Sequence, residues 1–442
     1  MKKHLLIVLA LLLSVSAFAQ KKEIIKTGWN FGPLPAISYD GNLGFQYGVT
    51  CDIFNYGDGS NYPRYNYKFN VEASRYTKGS TILRFYADMP YVVKDTKLFF
   101  DITYNTNKAY GFYGYNGNVA SSFDPIDFAN VGVKDFQSGY NLLNRRLFRF
   151  IGSAQRPIPF VPNLNWTAGL AYYNIKADTL NLDKYAGQGQ HTLYQQYIDA
   201  GIIEREEAHG GGIAQLRLGL NYDSRDHTSD PTKGIYAEYT LSGSTDKIGG
   251  NNGYNFLTET FLWRHYVPVY KDRLTFAYRL GVQHKIAGNM PWYMLSNICT
   301  PFFHKRDTEG LGGVVTLRGV NLNSVIGEGF VVGNFELRWR IIDFQFINQN
   351  WTVALTPFFD AGMVIQKFRE DEMIAAEALV DPTVTGGALY YSGEKEGLHS
   401  SAGCGLKLIM NRNLIVSADF GKALNKRDGQ GLKPFIGFNY IF

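Results

Sequence analysis

The chain contains 442 residues, with 44 Lys and Arg against 39 Asp and Glu, which gives a formal net charge of +5. A balance this even gives no case for nucleic-acid binding. The three cysteines, Cys51, Cys299 and Cys404, have no short spacing, so they indicate neither a disulfide framework nor a metal site, and we expect no cofactor.

The first residues have the pattern of a secretory signal peptide. A pair of lysines at 2–3 precedes an apolar run at 5–13, and 17–19 (Ala-Phe-Ala) forms a small-residue cleavage site. This predicts a signal peptide over residues 1–19. Gln20 follows where a lipoprotein would carry Cys, so a lipid anchor is disfavoured. No later run reaches the ~18 continuous apolar residues of a membrane-spanning helix, which argues against a helical inner-membrane protein.

Apolar and polar residues alternate along much of the remaining chain. In GNFELRWRI (333–341) the charges Glu336, Arg338 and Arg340 all fall on one side of an extended strand, whereas a helix would distribute them around its circumference. Similar segments recur at 32–39, 42–54, 64–76, 80–91, 96–106, 141–155, 164–177, 213–224, 234–245, 254–268, 272–287, 328–341, 351–365, 399–410, 413–421 and 433–442. In an exported chain rich in Gly and aromatic residues, this predicts an all-β fold, a transmembrane antiparallel β-barrel of about 16 strands. The barrel is expected over residues 32–442, after a short periplasmic segment at 20–31.

The connections between these segments fall into two classes by parity. Those after even-numbered segments are mostly tight turns, and the long stretches follow odd-numbered segments. The long stretches lie near 107–140, 178–212, 288–327 and 366–398. Outer-membrane barrels have short turns on the periplasmic side and long loops outside. We therefore expect a bacterial outer-membrane protein with both termini in the periplasm and residues 288–327 on the outer side.

A closed barrel must pair its first strand with its last, because lipid offers the backbone no other partner. The first segment contains Pro33 and Pro35, which lack an amide donor, so only its latter part is expected to form regular ladder bonds. Two interpretations remain open. The segment is either a frayed strand end, or one side of a seam between 32–39 and 433–442 that can open sideways.

Arg318 is the single charge in the loop segment GGVVTLRGVN (312–321), and its neighbours in sequence offer no partner. Glu336 and Asp360, on the two following strands, face the lumen if their apolar neighbours face lipid. Flexible glycines would permit a hairpin that carries Arg318 inward to them. These glycines are Gly312, Gly313, Gly319 and Gly327. The spacing alone also allows a solvated Arg beside two unrelated acids.

Seven motifs occur in one consistent order along the chain. They are GFYGYNGN (111–118), LNYDSRDHTSDPTKG (220–234), GGVVTLRGV (312–320), GNFELRWRI (333–341), PFFDAG (357–362), SAGCGLKL (401–408) and the terminal aromatic strand. With these motifs, nearly all of 30–442 resembles the BamA/TamA family of outer-membrane assembly barrels, the bacterial surface-antigen type. The resemblance implies a barrel with a long loop folded into its lumen.

The resemblance also implies roles for individual residues. The loop Arg318, followed by Gly319, would enter the lumen and pair with Glu336 and Asp360 as an internal latch. Val320 departs from the family, which usually has an aromatic residue there. On the last strand three aromatics would form the C-terminal signal by which barrels are recognised for insertion, besides anchoring at the membrane interface. They are Phe438, Tyr440 and Phe442.

Members of this family that fold clients usually carry periplasmic POTRA domains before the barrel. Only residues 20–31 separate the signal peptide from the first strand, so we expect a POTRA-less member. It would insert or translocate protein, or move lipid, with periplasmic or outer-membrane partner proteins, in contact with lipopolysaccharide and phospholipid. The alternative is a passive channel or structural barrel without an assembly role.

Two chemical alternatives are weaker. In DSRDHTSDPTKG (223–234) the acids Asp223, Asp226 and Asp230 could form a calcium loop, but the resemblance and the Pro-to-Gly turn favour a periplasmic hairpin whose acids cap turns and pair with Arg225. A catalytic site is not indicated either, since there is no GxSxG and the histidines lie in separate elements. These histidines are His227, His265, His284, His304 and His399. We expect no enzyme, although barrel enzymes do not require a local motif.

Overall fold

The computed structural model of the protein describes residues 23–40, 43–120, 137–180, 191–247, 253–297, 310–381 and 388–442. The signal peptide expected at 1–19 lies outside these residues. The described part is mostly strand and contains one sheet of 17 strands. In chain order they are β1 Trp29–Pro35, β2 Ser38–Asp40, β3 Gly44–Asn55, β4 Tyr67–Tyr76, β5 Thr81–Val93, β6 Thr96–Gly111, β7 Leu142–Pro157, β8 Leu164–Asp178, β9 Gly210–Asp223, β10 Gly234–Ser244, β11 Phe256–Tyr270, β12 Leu274–Gly288, β13 Gly329–Phe346, β14 Gln349–Gln366, β15 His399–Met410, β16 Leu414–Ala423 and β17 Lys433–Phe438.

Each strand from β3 onwards pairs antiparallel with the next one in the chain. β1 and β2 both pair with β3, so they are two parts of one interrupted strand of the wall. The 17 strands therefore occupy sixteen positions in the wall. The antiparallel all-β fold predicted from the alternation is confirmed.

The alternation separates the two faces of the wall. On β13, Asn334, Glu336 and Arg338 are almost fully buried on the inner face, while Leu337 between them is 39% exposed on the outer face. This is the arrangement expected when polar residues line a lumen and apolar residues meet lipid. The inner face therefore carries the groups that can bind or gate.

The two ends of the wall differ in their connections. One end, the turn side, carries short connections. They are 56–66, 94–95, 158–163, 224–233, 271–273, 347–348 and 411–413. The other end, the loop side, carries the long ones. They include 112–141, 179–209, 289–328 and 367–398. The parity read from the sequence thus corresponds to the two ends of the sheet.

The loop-side connections pack together through an aromatic core. Phe112 makes edge-on ring contacts with Tyr115, Tyr194, Tyr197 and Trp292, and all five side chains are buried. Such edge-to-face pairs add stability beyond the burial of their area. The helices of the described residues also lie in these connections, and none of them is long and apolar enough to cross a membrane. They are α1 Gln137–Tyr140, α2 Leu193–Asp199 and α3 Glu370–Glu377, with 3-10 turns at Gly117–Val119, Trp292–Met294 and Lys426–Asp428.

Candidate functional site: a buried latch and an unpaired seam

A hairpin at residues 310–327, the latch hairpin, folds into the lumen. Gly312 and Gly313 have φ of 107° and 93°, in the left-handed region that favours glycine. The Thr316 hydroxyl ties the turn by accepting from the Gly312 amide (2.9 Å) and donating to the Gly310 carbonyl (2.9 Å). Gly327, expected as a hinge, does not have a positive φ. A Cβ there would lie 2.5 Å from Val364 Cγ1, so this glycine permits close packing on β14.

The hairpin brings Arg318 to both predicted carboxylates. Its Nε and one terminal nitrogen donate to the two oxygens of Asp360 at 2.9 and 3.0 Å, and its other terminal nitrogen donates to Glu336 Oε1 at 2.8 Å. The Arg318 backbone N–H adds a bond to Asp360 Oδ2 at 3.1 Å. A planar guanidinium matches this forked geometry, which Lys could not reproduce. All three side chains are fully buried.

The surroundings fix the latch in place. The guanidinium carbon lies 3.5 Å from the centre of the Phe358 ring, a cation–π contact. Asn334 donates to Asp360 Oδ1 (2.8 Å) and to the Thr316 carbonyl (2.6 Å), which joins the wall to the hairpin. Gly319 has φ of 100°, and a Cβ there would lie 2.7 Å from the backbone of Gly421 on β16. The hairpin tip therefore rests directly on β16, two strands along the wall from β14, which carries Asp360.

Further charges extend the network beyond the three predicted residues. Arg338 donates to Glu336 Oε2 at 2.8 Å, and Lys407 donates to both oxygens of Asp419 at 2.7 and 2.8 Å. Asp419 Oδ2 also lies 3.9 Å from Arg318. A buried charge is tolerated only when it is paired and hydrogen-bonded, and here each acid has a cation beside it. The alternation in 333–341 had placed Glu336 and Arg338 on the same side of their strand, but it did not indicate how they pair.

Residues 439–442, the hook, depart from the predicted last strand. β17 ends at Phe438, Asn439 adopts a φ of 66°, and the following three residues turn into the lumen with 5–7% exposure. The expectation that Tyr440 and Phe442 continue the last strand is therefore wrong. Their backbone and rings are held by buried arginines, so they do not face lipid as anchors.

Two arginines hold the hook and the latch network together. Arg338 donates to the Phe442 carbonyl oxygen at 2.8 Å, and its guanidinium lies 3.8 Å from the centre of the Tyr440 ring. Arg279 donates to the Ile441 carbonyl at 3.2 Å and to the Val315 carbonyl of the hairpin at 2.6 Å. Because Arg338 also pairs with the latch acid Glu336, release of the hook would disturb both elements.

No backbone ladder joins β17 to β1 or β2 within the residues that the structure describes, so the sheet is not closed. The expectation that the first strand pairs with the last is corrected. We call this gap the seam. A Cβ on Gly32 of β1 would lie 3.1 Å from Leu414 Cδ2 of β16, so the Leu414 side chain lies close to the β1 backbone across the seam.

The register explains why the prolines do not interrupt β1. Ala36 N donates to the Gly48 carbonyl and Tyr56 N to the Gly28 carbonyl, so even-numbered residues of β1 bond to β3 and odd-numbered residues point to the open edge. The amide donors that Pro33 and Pro35 lack would have pointed to the open edge, away from β3. All seven residues of β1 therefore keep their register with β3. The expectation that only the latter part of this segment pairs is corrected.

The facing edge of β17 has the same feature. Asn439 N donates to the Ile415 carbonyl, so odd-numbered residues point to β16, and Pro434 lacks its donor on the open edge. Proline is accepted on a sheet edge for this reason. Both sides of the seam therefore present fewer amide donors than an ordinary strand edge.

The turn at residues 224–233, the strap, crosses the turn side of the lumen. As predicted, Arg225 pairs with Asp223 (2.8 Å), and Asp226 caps the turn by accepting from Thr232 N at 2.9 Å. The expected pairing of Asp230 with Arg225 is not found. Asp230 instead bonds to Arg340 of β13 and lies 3.6 Å from Arg412 in the β15–β16 turn. Since the strap joins β9 to β10, these contacts reach across the mouth of the lumen.

On the loop side the sequence reasoning missed a buried acid, Glu207. It is fully buried, and burial raises its pKa. It accepts from Tyr254 OH at 3.1 Å and Trp292 N at 3.2 Å, and pairs with Arg369. Glu207 therefore links four of the loop-side connections, its own and those that contain Tyr254, Trp292 and Arg369. Among the described residues no group of three or more His, Cys, Asp or Glu could hold a metal ion.

These features define a transmembrane β-barrel whose own loop and hook occupy its lumen. The chain belongs to the Omp85 superfamily, whose domain model matches residues 61–440. Membership of this superfamily indicates the bacterial outer membrane.

Two solved structures are similar in fold. BamA from Haemophilus ducreyi lacking POTRA domains 1-3 has 17% identity and a TM-score of 0.51, with 94% of this chain and 70% of that chain covered. CdiB from Escherichia coli has 12% identity and a TM-score of 0.50, with 95% and 62% covered, so this chain spans less than two thirds of CdiB. No curated protein matches the sequence.

Proposed function

We propose that this protein inserts or translocates protein substrates at the outer membrane through its seam, with its termini in the periplasm. The observation that carries the proposal is the pair of strand edges at the seam, β1 with β2 on one side and β17 on the other, which no ladder joins within the described part of the chain. An unpaired edge offers carbonyl and amide groups on which another strand can pair. A substrate strand is the partner expected for such an edge inside a membrane, where unsatisfied backbone groups are costly.

In this proposal the latch keeps the lumen occupied while the seam is used. Arg318, Glu336 and Asp360 hold the hairpin inside the wall, and the hook and the strap fill further space below it. The wall can then change at one edge without becoming an open pore. Membership of the Omp85 superfamily supports the same class of activity, and we propose that partner proteins act with the barrel from the periplasmic side.

The test must distinguish the proposed function from two alternatives, the movement of lipid through the same seam and a passive channel. The protein is depleted in its native host, and the outer membrane is analysed by quantitative proteomics and by surface labelling of phospholipid. Loss of a set of outer-membrane proteins supports the proposal, and a change in lipid asymmetry alone would assign lipid movement. If neither changes, and the purified barrel gives a large steady conductance in planar bilayers, the proposal is wrong and the barrel is a channel.

A further inference from the structure

The seam is bridged at its turn-side end by side chains, although its strands do not pair. On one side lies the β3–β4 connection, residues 56–66. On the other lie two tight turns at 347–348 and 411–413, which join β13 to β14 and β15 to β16. These turns belong to opposite sides of the seam, because β1 and β17 are the wall positions between them.

Asn413 makes the first cross-seam contacts. Its Nδ2 donates to Tyr56 OH at 3.0 Å and to the Pro63 carbonyl at 2.7 Å. Asn413 and Tyr56 are each 1% exposed. Buried polar bonds of this kind cost most when one partner is lost, because the other partner is left without a bond.

Asn350 makes a second set of contacts. Its Nδ2 lies 3.2 Å from Tyr62 OH and 2.9 Å from the Ile24 carbonyl, and its side-chain oxygen accepts from the Ile24 amide at 3.0 Å. The segment before β1 and the β3–β4 connection are thus both tied to β14. Tyr56 and Tyr62 also contact each other, with ring centres 5.4 Å apart.

The turns that present these asparagines are well formed. In the β13–β14 turn Ile347 and Asn348 have φ of 49° and 51°, as required for a two-residue hairpin of the type that matches strand twist. In the three-residue β15–β16 turn Asn411 and Arg412 have similar φ values of 50° and 59°. Asn411 accepts from Asn350 N at 3.0 Å, which joins the two turns to each other. The donors are therefore preorganised on one side of the seam, and the tyrosines form the other side.

We propose that these residues form a clasp that holds the seam shut at its turn-side end. The clasp consists of Tyr56, Tyr62 and Pro63 on one side and Asn350 and Asn413 on the other. The inference rests on the proposed function in one respect, because that function is the reason why the seam would need to open. With no ladder across the seam among the described residues, the clasp and the packing of the Leu414 side chain against the Gly32 backbone resist separation of the edges. A periplasmic partner that withdraws residues 56–66 would open the seam without touching the latch.

The test is hydrogen exchange of the purified barrel in lipid nanodiscs, followed by mass spectrometry. The variants are Asn413→Ala and Tyr56→Phe, and the second keeps both turns and removes a single hydroxyl. Matched controls lie away from the seam. Asn165→Ala removes a bond between β8 and β9 at the turn side, and Tyr173→Phe removes a buried hydroxyl that accepts from Arg217 at 2.7 Å.

The clasp predicts that both variants raise exchange of the β1 and β17 amides by about tenfold, the change expected from about one net hydrogen bond, with β12 unchanged. The controls should leave β1 and β17 unchanged. Unchanged exchange at the seam in both variants would overturn the proposal. So would an equal increase in β12, which indicates general loosening. Because exchange is measured on isolated protein, its result is independent of the depletion experiment.

Discussion

Replacing Arg318 by Ala tests the latch. The change leaves Asp360 without its forked partner and removes one of the two cations beside Glu336, all inside a fully buried site. Breaking a buried ion pair by removing one partner typically costs about 3–5 kcal/mol, and loss of the Phe358 contact adds about 1 kcal/mol. We therefore expect the free energy of unfolding to fall by about 5 kcal/mol.

The assay is urea unfolding in detergent, with heat modifiability on semi-native gels as a second measure. Arg205→Ala, an exposed loop arginine, is the control and should change stability by less than about 0.5 kcal/mol. Asp360→Ala should also destabilise. The double variant Arg318→Ala/Asp360→Ala should lose less than the sum of the single changes, because Glu336 retains Arg338 as its partner. Additive losses, or losses no larger than in the control, would refute the latch.

Two other perturbations test the hook and the strap. Arg338→Met removes the bond to the Phe442 carbonyl oxygen. Tyr440 and Phe442 should then become accessible to a quencher directed to the lumen, while β12 stays protected. If the accessibility of these two rings does not change, Arg338 does not anchor the hook. His227 of the strap accepts from two backbone amides, and burial lowers its pKa to about 4. Its neutral form is favoured in the folded state, so its contribution is complete above pH 6.5 and is lost progressively as the pH falls from there to about 4. The free energy of unfolding should therefore drop by about 2 kcal/mol more between pH 7.5 and 4.5 in the native protein than in His227→Gln, and equal drops in both would exclude His227 as the cause.

The alternation was readable from the sequence because the strand period is two and each wall position has one face toward lipid. The polar residues of β13 could therefore be assigned to the lumen from their spacing in the chain. The partners of Arg318 could not be derived from spacing alone, since hairpins that keep it in solvent fit the same glycines. The resemblance to a family of barrels supplied that pairing.

The hook could not be predicted, because FIGFNYIF alternates like an ordinary strand up to its last residue. The inward turn at Asn439 depends on Arg279 and Arg338, more than a hundred residues earlier, and on contacts that no local pattern contains. The sequence also could not show toward which neighbouring strand the amide donor missing at Pro33 would have pointed. That direction follows only from the register, because a residue in a strand can point its backbone groups to either neighbour.

The most direct measurement of the central claim is a reversible tether across the seam. Gly32→Cys and Leu414→Cys are introduced together in a chain whose own cysteines are replaced, since an added Cβ on Gly32 would lie 3.1 Å from Leu414 Cδ2. The account predicts that the oxidised, crosslinked protein fails to restore outer-membrane proteins in depleted cells and that reduction returns this activity. Full restoration by a protein shown to be crosslinked would contradict the claim that the seam must open.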